Sequence, residues 1–507
     1  MRTFSRRDFL KLAGLATGAV AASRFAPGRL RRQNGASPNV IILVLDAMSA
    51  RDLSLYGYKR GTTPHIEKFA ERANVYHAHH AGGNFTTPGT ASLLTGTYPW
   101  THRAFDIAGL VEREQVEHNI FTAFGDDYHR LAYSQNLLSN YFFGQFARDI
   151  ETILPASAFS VIEQVTGEAF KNDLANGIRS FDNFLFQDGS PPASLVFGLA
   201  DRILLRSREA RTTHDEYSRG LPRAGDHAIF FRLREVFDGL NTTLAELDST
   251  GNPYLAYLHL WAPHAPYIST NEFDGKFQDN FRPIRKPEHR LGDHVQFYRL
   301  NNRRQNYNEF IANADAEFGR LMDLLEEQGM LSNSYVVLTS DHGESFERGV
   351  EGHITKLLYQ PLMHIPLVIS APGQDTRRDI YSPTSNVDLL PTLLHVAGRP
   401  AADWAEGALL PGLGGVDDME RSLFSVEAKS NPAHAPLTRA TVAMVRGNHK
   451  MIYYTGYERE DSFELYDLEN DYEELQDLYA DQPSFAGSMK DELLEKLNFV
   501  NAQAQRS

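Results

Sequence analysis

A row of hydroxyl side chains directly precedes a short apolar helix in this chain of 507 residues. Thr86, Thr87 and Thr90 lie in a turn that contains proline and glycine, and the helix after it is predicted to end at Gly96. A helix N-terminus attracts anions, because its free N–H groups and its dipole both favour negative charge. A threonine on this turn is therefore placed to meet a phosphate or sulfate group, although threonine is also an ordinary helix cap.

Side chains that bind hard metal ions follow two hydrophobic runs. Asp46 comes directly after the run Asn39 to Leu45, and Asp341 and His342 come after the run Ser334 to Ser340. Ligands of open α/β sheets bind at the carboxyl ends of the strands, so these groups can converge there. A structural cap of the next helix is the alternative for Asp46. The pattern predicts a divalent cation held by a carboxylate, hydroxyl and imidazole set, consisting of Asp46, Thr86, Asp341 and His342.

Imidazole and ammonium groups form a third set of reactive side chains. His264 lies between two prolines after the hydrophobic run Tyr254 to Leu260, and His353 and Lys356 lie on a glycine-bounded loop. Cations near a bound anion neutralise its charge, so all three are candidate catalytic groups. Each is weak by itself, because a lone histidine is commonly structural and a loop lysine is commonly solvated.

Hydrophobic patterning predicts the elements that position these groups. The run Asn39 to Leu45 is rich in β-branched residues and leucine, which is typical of a parallel strand buried on both faces, and the other two hydrophobic runs are also predicted to be strands. Amphipathic spacing predicts helices over Ile66 to Ala73, Ala228 to Leu247 and Tyr307 to Gln328. Residues from about 141 to 223 are predicted to form a helical insertion beside the site, either a lid or an ordinary surface subdomain.

Composition excludes several classes of function. The net charge of −15 and the pI near 5.7 argue against nucleic acid as a partner, since phosphate backbones demand a basic face. The absence of cysteine excludes disulfides, thiol nucleophiles and zinc–thiolate sites. Nothing in the pattern indicates an oligomeric state.

The first 35 residues have the layout of an export signal. Arg6 and Arg7 precede an apolar run from Leu12 to Ala22, which is too short to span a bilayer comfortably. The paired arginines resemble the twin-arginine signal of prokaryotes. The sequence predicts export to the periplasm or the medium, with no stable membrane span in the mature chain.

This assignment predicts that Arg6 and Arg7 are needed together for export. Replacing both by lysine should leave the protein in the cytoplasm with its N-terminus intact, because the receptor reads the arginine pair. Cell fractionation and N-terminal sequencing check this. The exported wild-type chain should begin after the small residues near Ala22 to Ala26, and finding the uncut wild type in the cytoplasm would contradict the assignment.

Taken in order, six segments resemble the sulfatase-like branch of the alkaline phosphatase superfamily. They are Asn39 to Asp46, Thr86 to Pro99, Pro263 to Tyr267, Val336 to Glu344, the loop with His353 and Lys356, and Phe463 to Leu475. The resemblance implies an α/β fold with a large central, mostly parallel β-sheet flanked by helices and a small C-terminal α+β domain. It implies a catalytic domain over 36–415, a C-terminal domain over 416–507, and one hard divalent ion, Mn, Mg or Ca.

Thr86 is the main departure from that family. Its sulfatases carry Cys or Ser here, oxidised to formylglycine, and Arg at the position of Thr90. Oxidation of threonine, a secondary alcohol, gives a ketone and not that aldehyde. The second acidic residue that often follows the first is replaced by Ala47. Relatives with an unmodified threonine act on phosphate esters through a phosphothreonine.

Three hypotheses about function follow. The resemblance implies a metal-dependent phosphatase, phosphodiesterase or phosphoryl transferase that uses Thr86 on a small-molecule, glycan or lipid-headgroup ester. A sulfuric ester hydrolase is the first alternative. An inactive substrate-binding relative is the second, because the usual arginine and the second aspartate are missing.

Overall fold

The computed structural model describes residues 37–161, 203, 207, 216–225 and 229–504. The predicted signal segment 1–35 and most of the predicted insertion lie outside these residues. From Pro38 onward the chain forms one compact unit. Among the described residues, we find no helix with the length and apolar character needed to cross a bilayer.

The strands of the described residues are, in chain order, β1 (Asn39–Leu45), β2 (Asn74–Tyr76), β3 (His79–His80), β4 (His129–Ser134), β5 (Thr152–Leu154), β6 (Arg223–Ala224), β7 (Ile229–Phe230), β8 (Tyr254–Leu260), β9 (Ser334–Thr339), β10 (Ser345–Glu347), β11 (Val350–Gly352), β12 (Leu367–Ser370), β13 (Arg378–Ile380), β14 (Thr384–Ser385), β15 (Ser422–Glu427), β16 (Ala440–Arg446), β17 (His449–Thr455) and β18 (Ser462–Asp467). The α-helices are α1 (Pro64–Ala70), α2 (Thr86–Thr95), α3 (Pro99–His102), α4 (Ile120–Phe124), α5 (Leu137–Gln145), α6 (Leu233–Ser249), α7 (Phe297–Glu327), α8 (Gln360–Met363), α9 (Leu389–Val396) and α10 (Pro483–Ala504).

Eight of the described strands form the central sheet, in the order β13-β2-β12-β9-β1-β8-β4-β5. Only β12 runs against the others within this part of the chain, pairing antiparallel with both β9 and β2. The strands β9, β1, β8, β4 and β5 pair in parallel, and so do β13 and β2. The prediction of a large, mostly parallel sheet is confirmed.

The sheet is buried on both faces, as its continuous hydrophobic runs predict. In β1, Ile41, Leu43 and Leu45 face one hydrophobic core, together with residues of α6 and α7. The alternate residues of β1 face a second core, together with residues of α2, α4 and α9. Each fully buried aliphatic side chain contributes about 1.5–3 kcal/mol. The strand ends are therefore held from both sides.

The C-terminal part contains the antiparallel sheet β15-β16-β17-β18 and the long helix α10. Leu493, Leu497 and Val500 of α10 pack in a third core with Tyr98 and Trp100 of the α2–α3 region. The prediction of a small C-terminal α+β domain is confirmed. Its contact with the segment after Thr86 connects it to the catalytic part.

Four local differences from the sequence-based predictions have physical causes. The predicted turn over Thr86 to Thr90 is already helical, because Pro88 is tolerated in a first turn whose N–H groups have no helical partner. Helix α7 starts at Phe297, well before Tyr307, and in this added part Leu300 is buried while most residues are polar and partly exposed. Ile229–Phe230 is a strand and α6 starts after it. Thr152–Leu154, inside the predicted insertion, pairs with β4 at the sheet edge.

Candidate active site

The start of α2 places Thr86 at the carboxyl edge of the sheet. Thr86 is the first residue of this helix, and Gly96 ends it with a φ of 69°, as the sequence predicts. The first turn of α2 lies very close to Asp341, which follows β9. A Cβ on Gly89 would lie 2.2 Å from the Asp341 carbonyl oxygen. The absence of a side chain at Gly89 therefore lets the helix pack against the end of the strand.

Three side chains from three neighbouring strands meet beside Thr86. Asp46 follows β1, Asp341 follows β9, and His259 comes from β8. The Nε2 atom of His259 lies 3.4 Å from Asp46 Oδ2 and 3.7 Å from Asp341 Oδ2. All three side chains are fully buried. One ligand atom from each residue lies within 4.8 Å of the other two, a separation at which one ion can contact all three.

This donor set fits a divalent metal ion. Asp46 Oδ1 and His259 Nε2 are buried and make no hydrogen bond with any described residue. Unpaired buried polar atoms are costly, and two close carboxylates repel each other without a cation. Two carboxylates and one imidazole suit a hard or borderline divalent ion. The residues present are therefore those that an ion would stabilise.

The charges of these groups reinforce one another. Burial raises the pKa of Asp46, but the positive charge of His264 and the contact with His259 outweigh it and hold the pKa below its usual range. Burial lowers the pKa of His259, and the charges of Asp341 and Asp46 outweigh it and raise that pKa. The cluster therefore favours ionised carboxylates facing a cationic group.

The backbone turn after β1 supports the same cluster. Ala47 has a φ of 61°, in the left-handed region, and its N–H group lies 3.3 Å from Asp341 Oδ1, to which it donates. The His342 N–H group also donates to Asp341 Oδ1, at 3.0 Å. One oxygen of Asp341 is held by the backbone, and Oδ2 faces His259.

The Thr86 hydroxyl lies between an amide and an imidazole. Asn136 Nδ2 donates to Thr86 Oγ1 at 3.0 Å and to Asp46 Oδ2 at 2.6 Å. His342 Nε2 lies 3.4 Å from Thr86 Oγ1. Thr87, in contrast, donates its hydroxyl to the Ile107 carbonyl at 2.8 Å. Of these two adjacent threonines, Thr86 is the one whose oxygen faces the carboxylate cluster.

His342 is oriented by its own loop. Its Nδ1 donates to the Gly343 carbonyl oxygen at 2.8 Å, which fixes the orientation of the ring. Nε2 lies 3.5 Å from Asp46 Oδ1 and 3.5 Å from Asp341 Oδ2. The structure therefore brings together all four residues predicted to hold the metal, and it adds His259.

A row of rings continues from His342. The rings of His342 and His353 have centroids 4.3 Å apart, and those of His353 and His264 are 4.8 Å apart. Glu344 Oε1 lies 2.9 Å from His353 Nδ1. Burial raises the pKa of Glu344 to about 7, while burial and the charge of His342 lower the pKa of His353 to about 3. This pair can hold and transfer one proton.

Lys356 points elsewhere. Its ammonium lies 5.6 Å from the centre of the Tyr457 ring in the C-terminal domain. Its carbonyl accepts a hydrogen bond from Thr441 Oγ1 at 2.6 Å. Within the described residues, the ammonium makes no hydrogen bond or ion pair with Thr86 or with the carboxylate cluster.

Sequence reasoning missed three residues of this site. His259 lies inside a hydrophobic strand, where it reads as a core histidine, and Asn136 reads as the cap of the following helix. Glu344 lies inside the recognised segment Val336 to Glu344 but was given no role, although its type and position were a usable signal. Its pairing with His353, which the sequence did identify, is seen only in the fold.

The close contact at Gly89 gives a stability prediction. Gly89→Ala should lower the free energy of unfolding by about 1–3 kcal/mol and weaken metal binding, because the new methyl overlaps the Asp341 carbonyl. Thermal unfolding and metal titration measure both effects. Gly61→Ala is the matched control, since nothing lies within 4 Å of a Cβ there. Equal behaviour of the two variants would contradict this packing.

The chain is similar to known proteins over most of its length. Residues 38–186 and 207–399 match the family model described as Sulfatase, and residues 352–503 match that of N-sulphoglucosamine sulphohydrolase, C-terminal. The choline-sulfatase of Rhizobium meliloti (strain 1021) is 22% identical over 88% of this chain and 83% of its own length. Arylsulfatase K of Bos taurus is 29% identical over 40% of this chain, a match that spans 38% of that protein.

Solved structures show the same fold. The phosphonate monoester hydrolase of Agrobacterium radiobacter is 18% identical, with a TM-score of 0.64, and covers 92% of this chain and 96% of its own. Enzymes of the sulfatase family hydrolyse esters and use a divalent metal. Because the family model matches more than half of its residues, the chain belongs to the sulfatase family of the alkaline phosphatase superfamily.

Proposed function

We propose that this protein is a metal-dependent hydrolase or transferase of phosphate esters with Thr86 as its nucleophile. The observation that carries the proposal is the position of the Thr86 hydroxyl at a helix N-terminus, 3.0 Å from Asn136 Nδ2 and 3.4 Å from His342 Nε2. An unmodified alcohol is suited to a covalent phosphoryl intermediate. It is unsuited to formylglycine chemistry, since threonine cannot give the aldehyde.

The buried cluster would hold one divalent ion, which we propose to be Mn, Mg or Ca. Its ligands would be Asp46, Asp341, His342, the Thr86 hydroxyl and, in addition, His259. Such an ion supplies positive charge that lowers the pKa of a nearby hydroxyl and neutralises ester oxygens. The two imidazoles also suit softer divalent ions, and elemental analysis of the purified protein identifies the ion.

Thr86 is the nucleophile that attacks the phosphorus of the ester. Thr86 gives its hydroxyl proton to water and its oxygen forms a bond to phosphorus, while the bond from phosphorus to the departing alcohol oxygen breaks and that oxygen takes a proton from the His353–Glu344 pair. Asn136 holds the attacking oxygen through its amide N–H while the same amide holds Asp46. In the second half of the reaction, water or an acceptor alcohol attacks the phosphothreonine and frees Thr86.

The row of rings handles protons and charge. His353, held by Glu344, delivers a proton to the departing oxygen, and His264 stabilises the negative oxygens of the transferring group. His264 is packed against Trp261, with ring centroids 4.1 Å apart, so its ring orientation is fixed. Lys356 carries its positive charge on the same loop as His353, with its ammonium over the Tyr457 ring.

The substrate is a small-molecule, glycan or lipid-headgroup ester and not nucleic acid, in keeping with the net charge of −15. The protein is exported in prokaryotic cells through its twin-arginine segment.

Sulfate-ester hydrolysis is the second candidate function, favoured by the sulfatases among the relatives. An inactive binding relative is the third.

A substrate panel separates these candidates. Aryl phosphate monoesters, aryl phosphate diesters and an aryl sulfate are assayed with and without chelator. The proposal expects turnover of a phosphate ester that is lost with chelator and restored by one metal. Preferential turnover of the sulfate supports the second candidate, and no turnover with no bound metal supports the third.

A further inference from the structure

Cations of the C-terminal domain adjoin Lys356 of the His353 loop. We define this group as the basic cluster: Lys356, Lys429, Arg439 and the ring of Tyr457. The Lys356 ammonium lies 5.6 Å and the Arg439 guanidinium 5.4 Å from the centre of that ring. Arg439 is exposed, and Lys356 and Tyr457 are partly exposed. The group is therefore accessible among the described residues.

Its charge is only partly balanced. Glu427 lies 3.5 Å from Lys429 Nζ and accepts a hydrogen bond from the Tyr457 hydroxyl. Within the described residues, Lys356 and Arg439 form no ion pair with a carboxylate. An aromatic face attracts a cation without neutralising its charge. Two positive charges are thus left open on a protein whose net charge is −15.

Hydrogen bonds join the basic cluster to the nucleophile segment. Lys429 Nζ donates to the Thr355 carbonyl at 3.0 Å, and Asn84 Nδ2 donates to the same oxygen at 2.9 Å. Asn84 also donates to the His353 carbonyl, and it precedes Thr86 by two residues. The basic cluster and the reacting hydroxyl are therefore tied to one loop.

Chain length limits the separation of the two regions. Lys356 follows His353 by three residues, which span at most about 11 Å of extended chain. The His353 ring packs on His342, whose Nε2 lies 3.4 Å from Thr86 Oγ1. A ligand with one anion at Thr86 and a second anion on an arm long enough to span this loop would reach both regions.

We propose that the basic cluster binds a second anionic group, carried by the alcohol part of the ester substrate. This inference rests on the proposed function for the identity of the first anion and goes beyond it in naming the substrate class. The substrate is then an ester whose leaving alcohol carries a phosphate, sulfate or carboxylate of its own. Arg439 offers a planar donor set that matches such a group, and Lys356 offers a point charge.

The test compares substrates that differ only in the second charge. Phenyl phosphates with a neutral amide or with a carboxylate, on side chains of increasing length, are assayed for kcat and KM. In the wild type, the best carboxylate should raise kcat/KM about tenfold over its amide, mainly through KM, as one charge-assisted contact does. The preference should fall with added salt, because an exposed contact is screened.

Variants assign the preference to the basic cluster. Arg439→Gln should remove most of the preference for the carboxylate substrates and leave kcat/KM for the amide substrates unchanged. Arg285→Gln is the matched control, an exposed arginine 5.6 Å from the Phe297 ring. Lys356→Met should also lower the preference, while Lys490→Met, a partly exposed lysine 4.9 Å from the Phe463 ring, should not. A purely catalytic Lys356 would lower both substrate series equally.

The matched aryl sulfate series is run in parallel, so the two proposals can fail separately. Turnover of sulfates alone would contradict the proposed function. The preference for a carboxylate over its amide could still be measured in the sulfate series. If neither series turns over, calorimetry with the corresponding phenylphosphonates measures the same preference in binding. A wild type that shows no preference for the second charge, or an Arg439→Gln variant that keeps it in full, overturns the inference.

Discussion

Thr86→Ala is expected to abolish turnover of phosphate esters while the protein stays folded and keeps most of its metal affinity. The covalent step cannot occur without its attacking oxygen, and the carboxylates and imidazoles of the cluster remain. Loss of a nucleophile with its partners intact commonly costs on the order of 10⁴-fold or more in kcat. Thr86→Ser should keep part of the activity, because a primary hydroxyl can reach the same phosphorus.

Thr87→Ala is the matched control for this prediction. Its hydroxyl donates to the Ile107 carbonyl and does not face the cluster, so its loss should cost far less activity. Mass spectrometry of protein quenched during turnover should find phosphate on the peptide that contains Thr86. Wild-type rates in Thr86→Ala, or sulfate on that peptide, would contradict phosphoryl transfer through Thr86.

Asp341→Ala is expected to remove the bound metal and, with it, the activity. The two backbone N–H groups that donate to Asp341 Oδ1 lose their acceptor, which costs about 1–3 kcal/mol of unfolding free energy. The strands on either side remain held by their apolar faces, so the protein should still fold. Asp341→Asn keeps an acceptor oxygen and loses the charge, so it should lose metal with a smaller loss of stability.

Asp315→Ala provides the opposite pattern as a control. Asp315 is also a buried carboxylate, but its oxygens accept from the His65 and Ile66 N–H groups at the start of α1. Its loss should lower stability by about 0.5–2 kcal/mol, as for a lost helix cap, and leave the metal in place. Metal content by elemental analysis and unfolding by calorimetry measure both. Full metal content and activity in Asp341→Ala would show that the cluster is not the metal site.

The sequence was sufficient for the strands and for the side chains at their ends. Continuous runs such as Asn39 to Leu45 are typical of strands buried on both faces, and the carboxyl edge of such a sheet brings their end residues together. Asp46, Asp341 and His342 were identifiable for that reason. The spacing to Pro88 and Gly96 predicts a helix at the threonines, and the resemblance to the sulfatase family singled out Thr86 among them.

The extent of several elements depended on packing. Pattern reasoning follows the apolar face, so it starts α7 at Tyr307, although the helix continues back to Phe297 with a polar, partly exposed surface. A three-residue strand such as Thr152–Leu154 has too few residues for periodicity and is stabilised by its neighbour β4. Short elements and polar helix ends are determined by tertiary contacts more than by local sequence.

The identity of the partners at the site was decided only by the tertiary structure. His259 and Asn136 carry no local mark of function, and their roles arise because β8 lies next to β1 and because the loop after β4 reaches Thr86. Lys356 shares a loop with His353, yet its ammonium packs on Tyr457, a residue about one hundred positions later in the chain. Local sequence determines which groups are available, whereas distant segments determine which way a long, flexible side chain points, because its rotamers differ little in energy until packing selects one.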